Sequence, residues 1–312
     1  MIGSAGARTS RVSQTVQTAP VSQLSDALDL VRGYVTLTKP RVISLLLLTT
    51  LATMYVADPA GPKLSLILWT MLGGYLAAGG AGAINHYVDR ERDAHMARTS
   101  GRPLVNGRIA PIHGLVFGIS LGVIAFFQLW FTVNFLAAGL AMVGLLGYVF
   151  IYTLWLKPIT PQNIVIGGAA GAVPPLVGWA AAAGSLSWEA MWPFLIIFFW
   201  TPPHFWALSL MIKDDYVRTG VPMLPVVKGD AETRRQILIY TVFMIGFTAG
   251  PYCTGLLGPF YLASAIVLGT IFFAFSFALW RNPSPALTLR TYLYSLAYLA
   301  LLFVAMAVDA VS

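Results

Sequence analysis

Cysteine is almost missing from this 312-residue sequence, and charge is scarce. The single cysteine, Cys253, lies inside an apolar run, which excludes a disulfide framework and a thiolate metal site. Charged residues make up 10% of the chain, where a soluble domain carries about a quarter. That deficit excludes water as the main solvent of the folded chain. An apolar leader is lacking as well. The first 25 or so residues are rich in Ser, Thr, Gln and Ala, without the central apolar run of a secretory signal. They predict a disordered tail over residues 1–30, ahead of one domain over 31–312. The net charge of +7 does not imply nucleic acid, because the Lys and Arg residues are dispersed through short connections rather than clustered on one face.

What is present is apolar: 57% of residues are hydrophobic and the mean hydropathy is +0.75. A spanning helix needs about 20 mostly apolar residues. That window places nine spans, centred on Val42–Val56, Leu64–Ile84, Ile112–Phe131, Phe135–Trp155, Ile164–Ala183, Met191–Met211, Ile237–Leu257, Tyr261–Leu279 and Tyr292–Val308. Nine spans alternate the connections between two sides, and charge tests the count. Of the 19 Lys and Arg residues, all but Lys63 fall on the N-terminal side. A bias of that size puts the N-terminus in the cytoplasm and the C-terminus outside. The expected fold is therefore an all-α polytopic membrane protein, multi-pass in the cell (inner) membrane.

Topology accounts for the basic residues but says little about carboxylates. Of the 12 acidic residues, Asp89, Glu91 and Asp93 gather in one cytoplasmic loop and Asp214, Asp215, Asp230 and Glu232 in another. If the second span continues as a helix, Asn85, Asp89 and Asp93 share one face, rising roughly 6 Å per step. Three oxygen side chains in a row suit Mg²⁺. A solvated helix end, with its carboxylates paired to Arg90 and Arg92, is the plainer alternative. Beyond it, Arg98 and Arg102 carry forked donors that match phosphate oxygens. In the second loop, Asp215 follows His204 by eleven residues, close to three helical turns. His204 would then lie roughly 16 Å deeper on the same face. At that depth it is either a functional residue facing the bundle interior or the partner of a carbonyl freed by Pro202-Pro203.

Asn85-x-x-x-Asp89-x-x-x-Asp93, with a second acidic loop four spans later, resembles the intramembrane aromatic prenyltransferase superfamily. Longer runs narrow the likeness to its protoheme IX farnesyltransferases, or heme O synthases. These are Arg98-Thr99-x-x-Arg102-Pro103-Leu104, Gln162-Asn163-Ile164-Val165-Ile166-Gly167-Gly168 with Pro174-Pro175, Pro202-Pro203-His204-Phe205-Trp206, and Lys213-Asp214-Asp215-Tyr216 with Pro222-Met223-Leu224-Pro225. The resemblance runs from about Lys39 to the last span. It implies a nine-helix bundle around a central cavity open to the cytoplasmic side. It also implies transfer of the farnesyl group of farnesyl diphosphate to a vinyl group of heme b. Addition of water would then give heme O and diphosphate, for assembly of heme–copper oxidases.

By the same resemblance, Asn85, Asp89, Asp93, Asp214 and Asp215 are catalytic. Mg²⁺ sits on Asn85, Asp89, Asp93 and Asp215, and Arg98, Arg102, Lys157 and Lys213 cradle the diphosphate. Heme b is a substrate rather than a cofactor, and His204 and His86 are candidates to place it. Heme A synthase or oxidase assembly factors are the implied partners. Met211 stands where the superfamily's second motif commonly begins with Asp. Two other functions share the composition: a prenyltransferase acting on a phenolic or quinone precursor, and a secondary transporter. A transporter places ionisable residues near the midplane in repeated halves, whereas these carboxylates sit at span ends.

Overall fold

The computed structural model describes residues 19–312, with side chains from residue 25 onward. Every regular element among them is helical. A first helix, α1 (Ala19–Thr38), precedes the bundle. The spans follow as α2 (Pro40–Ala57), α3 (Leu64–Ala94), α4 (Pro111–Thr132), α5 (Phe135–Ile159), α6 (Asn163–Ala183) and α7 (Trp188–Met211). Two short helices, α8 (Lys213–Arg218) and α9 (Leu224–Val227), fill the next connection. The last spans are α10 (Gly229–Cys253), α11 (Pro259–Arg281) and α12 (Pro285–Val311). Nine helices long and apolar enough to cross a membrane are thus described, as the hydropathy pattern predicts.

The spans form a closed ring in which each packs on the next and α12 returns to α2. Further pairings join spans that are not neighbours in that ring, among them α2 on α6, α7 on α12 and α3 on α5. In lipid, apolar surface gives helices little reason to associate, so close backbone approach at small residues has to do it. Gly80 of α3 faces Gly118 of α4 so closely that a Cβ on it would meet the Gly118 carbonyl at 2.7 Å. Gly178 of α6 lies against α2 more tightly still, where a Cβ would stand 2.2 Å from the Thr50 carbonyl. Outward-facing Leu64, Phe131, Val267 and Leu293 are exposed, as a lipid-facing surface requires.

Two element boundaries differ from the apolar windows. α1 begins at Ala19, within the stretch expected as a tail over residues 1–30, of which residues 1–18 lie outside the described residues. Val31, Tyr34, Val35 and Thr38 recur at helical spacing and face Tyr75, Phe117 and Leu121 of α3 and α4 across a cavity of about 620 Å³. Tyr34 meets Phe117 edge to face at 4.9 Å. Leu37 is fully buried with Tyr34 against Ala83, Leu104 and Ile109, and this packing holds the C-terminal half of α1 to the bundle. The second change is at α10, which begins at Gly229 rather than near Ile237. Asp230 and Glu232 therefore sit in its first turn, where the helix dipole favours carboxylates.

The helix that matters most is α3. Its 31 residues span about 46 Å, more than the roughly 30 Å of a hydrocarbon core. The excess carries Asn85, Asp89 and Asp93 beyond the apolar part of the span as unbroken helix.

Candidate functional site

Helical continuation of α3 puts Asn85, Asp89 and Asp93 in one column, and all three are at least 96% buried. Asn85 Nδ2 donates to Asp89 Oδ2 at 2.8 Å and to Thr153 Oγ1 at 3.2 Å. Buried carboxylates need counter-charges, and this column has them. Lys157 Nζ lies 2.5 Å from Asp89 Oδ2 and Arg92 3.5 Å from Asp89 Oδ1. Arg102 is paired with Asp93, and the Thr99 hydroxyl donates to the Asp93 carbonyl at 2.9 Å, tying the Arg98–Arg102 loop back to the end of α3. The helix end is therefore an internal ladder rather than a solvated terminus. Arg90 turns outward to Glu91 and the Tyr87 carbonyl.

Lys157 reaches Asp89 because of the shape of α5. Its stretch Gly147–Leu156 is π-helical, a widened turn that shifts everything after it and recurs at functional sites. Thr153 donates to the carbonyl five residues back, at Tyr148. Tyr148 and Tyr152 stack with ring centroids 5.4 Å apart beside the ladder.

The second loop divides. Asp215 is buried and paired with Arg218 at 2.5 Å. Asp214 is exposed, and Lys213 turns to Asp230 at 2.7 Å. Tyr216 is buried where the two loops meet, in one cluster with Met96, Trp206 and Ala207. Burial holds that phenol above its ordinary range, with Arg98 pulling the other way. Met211, the position that departs from the superfamily pattern, is 37% exposed at the end of α7.

Of the two histidines considered for heme, His204 is nine-tenths buried, between Trp200 (centroids 4.3 Å apart) and Tyr292 (4.9 Å). Its Nδ1 bonds the Ser295 hydroxyl at 2.7 Å, so that nitrogen does not serve a carbonyl freed by the proline pair. His86 is buried beside Asn85, and its Nδ1 has no hydrogen-bond partner among the described residues. His95 is exposed and bonds the Glu91 carbonyl, while His113 lines the cavity beside α1.

Sequence reasoning missed Lys39. Its Nζ donates to Asn85 Oδ1 at 2.6 Å. Burial, with Arg102 and Lys157 nearby, lowers this ammonium to about 7 against the pull of Asp89 and Asp93. A lysine before a proline at a span end reads as a positive-inside residue, and nothing local marks it otherwise.

Asn85, Asp89 and Asp93 offer hard oxygen donors of the kind Mg²⁺ takes, and Lys39, Lys157, Arg92 and Arg102 against them are cations of the kind that bind diphosphate, while Asp215 is held by Arg218. Among the described residues no three His, Cys, Asp or Glu side chains converge as a ready metal cluster. Asp89 is paired with Lys157 and Arg92, Asp93 with Arg102 and Asp215 with Arg218.

Residues 46–306 match the UbiA prenyltransferase family. The chain belongs to the UbiA prenyltransferase family. Relatives include a protoheme IX farnesyltransferase of Symbiobacterium thermophilum, 52% identical over 281 residues that cover 89% of this chain and 94% of the relative. Another, from Roseiflexus sp. (strain RS-1), is 57% identical over 90% of this chain but only 53% of its own length. The chain thus spans about half the length of that relative. Among solved UbiA-type folds, a digeranylgeranylglyceryl phosphate synthase aligns at a TM-score of 0.74 with 17% identity, over 91% of this chain and 99% of its own. A UbiA homolog of Archaeoglobus fulgidus bound to DMAPP and Mg²⁺ aligns at 0.62 with 15% identity, over 88% and 99%. The fold of this UbiA-family chain is therefore that of known intramembrane prenyltransferases.

Proposed function

We propose that this UbiA-family enzyme transfers the farnesyl group of farnesyl diphosphate to a vinyl group of heme b, with addition of water, giving heme O and diphosphate. The acceptor assignment rests on the 52% identity to a protoheme IX farnesyltransferase across nearly all of that relative's length. The donor assignment rests on the buried ladder of Asn85, Asp89 and Asp93. Asn85, Asp89, Asp93 and Asp215 would hold Mg²⁺, which neutralises charge on the diphosphate and so favours its departure.

The residues of the chain supply the rest. Lys157, Arg92 and Arg102, already at the ladder, and Arg98 in its loop stabilise the negative charge that develops on the leaving oxygen, usually the largest catalytic contribution. Lys213, turned to Asp230, stands further from that role. The C1–O bond of the substrate breaks with its electron pair on diphosphate. The farnesyl cation that remains is attacked by the vinyl π electrons. The new cation next to the pyrrole ring takes up water, which loses one proton. Tyr148, Tyr152 and Tyr216 present aromatic faces near the ladder that tolerate a cation and exclude early water.

His204, aligned with Trp200 and Tyr292, is proposed to place the heme, through its iron or a propionate. Unchanged heme affinity and absorption spectrum in His204→Ala would rule that out. The setting proposed is the cell membrane with the N-terminus cytoplasmic, the acceptor in the space enclosed by the ring, and heme A synthase or oxidase assembly factors as recipients. The test offers purified protein Mg²⁺ and farnesyl diphosphate with two acceptors, heme b and a phenolic acid. Farnesylated heme is the expected product. A prenylated phenol would move the reading to phenolic acceptors, and intact diphosphate carried into proteoliposomes would make the protein a transporter.

A further inference from the structure

Lys39 sits at the corner between α1 and α2 with φ 58° and ψ 55°. Among the described residues it is the one non-glycine residue with positive φ. Left-handed backbone is disfavoured for a side-chain-bearing residue, and a following proline favours extended backbone instead. Strain of this kind persists where the surroundings over-determine it, and it gathers at functional sites. Here the surroundings are specific. Lys39 N donates to the Thr36 carbonyl at 3.2 Å, and the Thr38 hydroxyl contacts both the Val35 carbonyl and the Tyr75 hydroxyl at 2.8 Å. Behind the corner, α3 presents Gly82, where a Cβ would come 3.1 Å from the Leu37 carbonyl.

The charges make a second, independent observation. Lys157 and Arg92 rest on Asp89, and Arg102 rests on Asp93. Lys39 rests on a neutral amide oxygen, Asn85 Oδ1, with Arg102 and Lys157 as like-charged neighbours and Asp89 and Asp93 pulling the other way. An ammonium with no carboxylate in direct contact, beside other cations that hold those carboxylates, is unfavourable in the free protein. An anion bound among the same three cations reverses the sign of that interaction.

We propose that Lys39 is a diphosphate-binding residue, resting on Asn85 Oδ1 in the free protein and moving to a diphosphate oxygen when substrate arrives. The move frees the Asn85 carboxamide oxygen for the metal. The inference depends on the reading of the ladder as a magnesium–diphosphate site, and its test separates the two. Calorimetry on the purified full chain measures the affinity for Mg²⁺ with farnesyl diphosphate, and for Mg²⁺ with inorganic pyrophosphate. The variants are Lys39→Gly, Lys39→Met, Lys39→Arg and Asp89→Ala. Glycine suits a left-handed corner, so Lys39→Gly removes the amine and keeps the turn.

Loss of a charge-assisted hydrogen bond predicts binding weakened about 10- to 100-fold in the Gly and Met variants. Arginine restores most of it. Wild-type affinity in Lys39→Gly, with weak binding in Asp89→Ala, overturns the role of Lys39 and leaves the ladder standing. Wild-type affinity in both variants overturns the ladder itself. Weak binding in Lys39→Gly that arginine does not restore means the corner acts through shape, and that also overturns the proposal.

Discussion

Lys157 and Asp89, 68 positions apart in the chain, meet at 2.5 Å, with side chains only 13% and 3% exposed. The pair has two uses. In the free protein the lysine neutralises a buried carboxylate; in the turnover proposed above, Asp89 would pass to the metal and Lys157 to the diphosphate. Breaking a buried pair by removing one partner costs roughly 3–5 kcal/mol. Lys157→Met is therefore expected to lower the unfolding temperature in detergent markedly. Millimolar Mg²⁺ recovers part of the loss, because a divalent cation replaces the missing charge at Asp89. A variant as stable as wild type without Mg²⁺ would show that the pair is not what holds this end of α3.

The two aspartates of the second loop are expected to behave differently although they are neighbours. Asp215 is buried beside Tyr216 and paired with Arg218, and Asp214 is exposed. Asp215→Ala should lower kcat/KM by about 100-fold or more, in the range of a lost charge-stabilising group. Asp214→Ala should stay within about threefold of wild type, as surface changes usually do. Steady-state kinetics on both variants decides it; equal losses would mean that α8 rotates to present both carboxylates.

Packing at the crossing of α2 and α6 is a third point of test. A Cβ at Gly178 would stand 2.2 Å from the Thr50 carbonyl and 2.6 Å from the Thr53 hydroxyl. Backbone cannot yield as a flexible side chain does, so Gly178→Ala should destabilise by about 1–3 kcal/mol or more. Thermal unfolding in detergent measures it. Gly139→Ala, where a Cβ meets nothing within 4 Å, is the control and should be nearly silent.

The spans were legible in the sequence because apolar run length and the lopsided placement of Lys and Arg are one-dimensional signals. The Asn85–Asp89–Asp93 column was legible for the same reason: its spacing is the period of a helix. The start of α1 at Ala19 was not legible, because Gly33, Tyr34 and Leu37 pack it against Ala83, Leu104, Ile109 and Phe117, contacts that composition does not carry. Asp230 and Glu232 were gathered with the site by sequence proximity, yet they start α10 and pair with Lys213 and Arg235. Lys39 and the π-helical turn of α5 escaped altogether. Both are backbone irregularities set by tertiary packing, and a lysine before proline or a run such as Gly147–Leu156 looks ordinary in one dimension.

The most direct measurement is a turnover in water enriched in oxygen-18. Purified protein, farnesyl diphosphate and heme b are combined with Mg²⁺ or with EDTA, and the heme product is weighed by mass spectrometry. The expected result is a farnesylated heme carrying one heavy oxygen, with its yield abolished when Mg²⁺ is chelated. Product formed equally well under EDTA, or heme and farnesyl diphosphate both left intact in the presence of Mg²⁺, would contradict the reading of the α3 ladder as the site of metal-assisted farnesyl transfer.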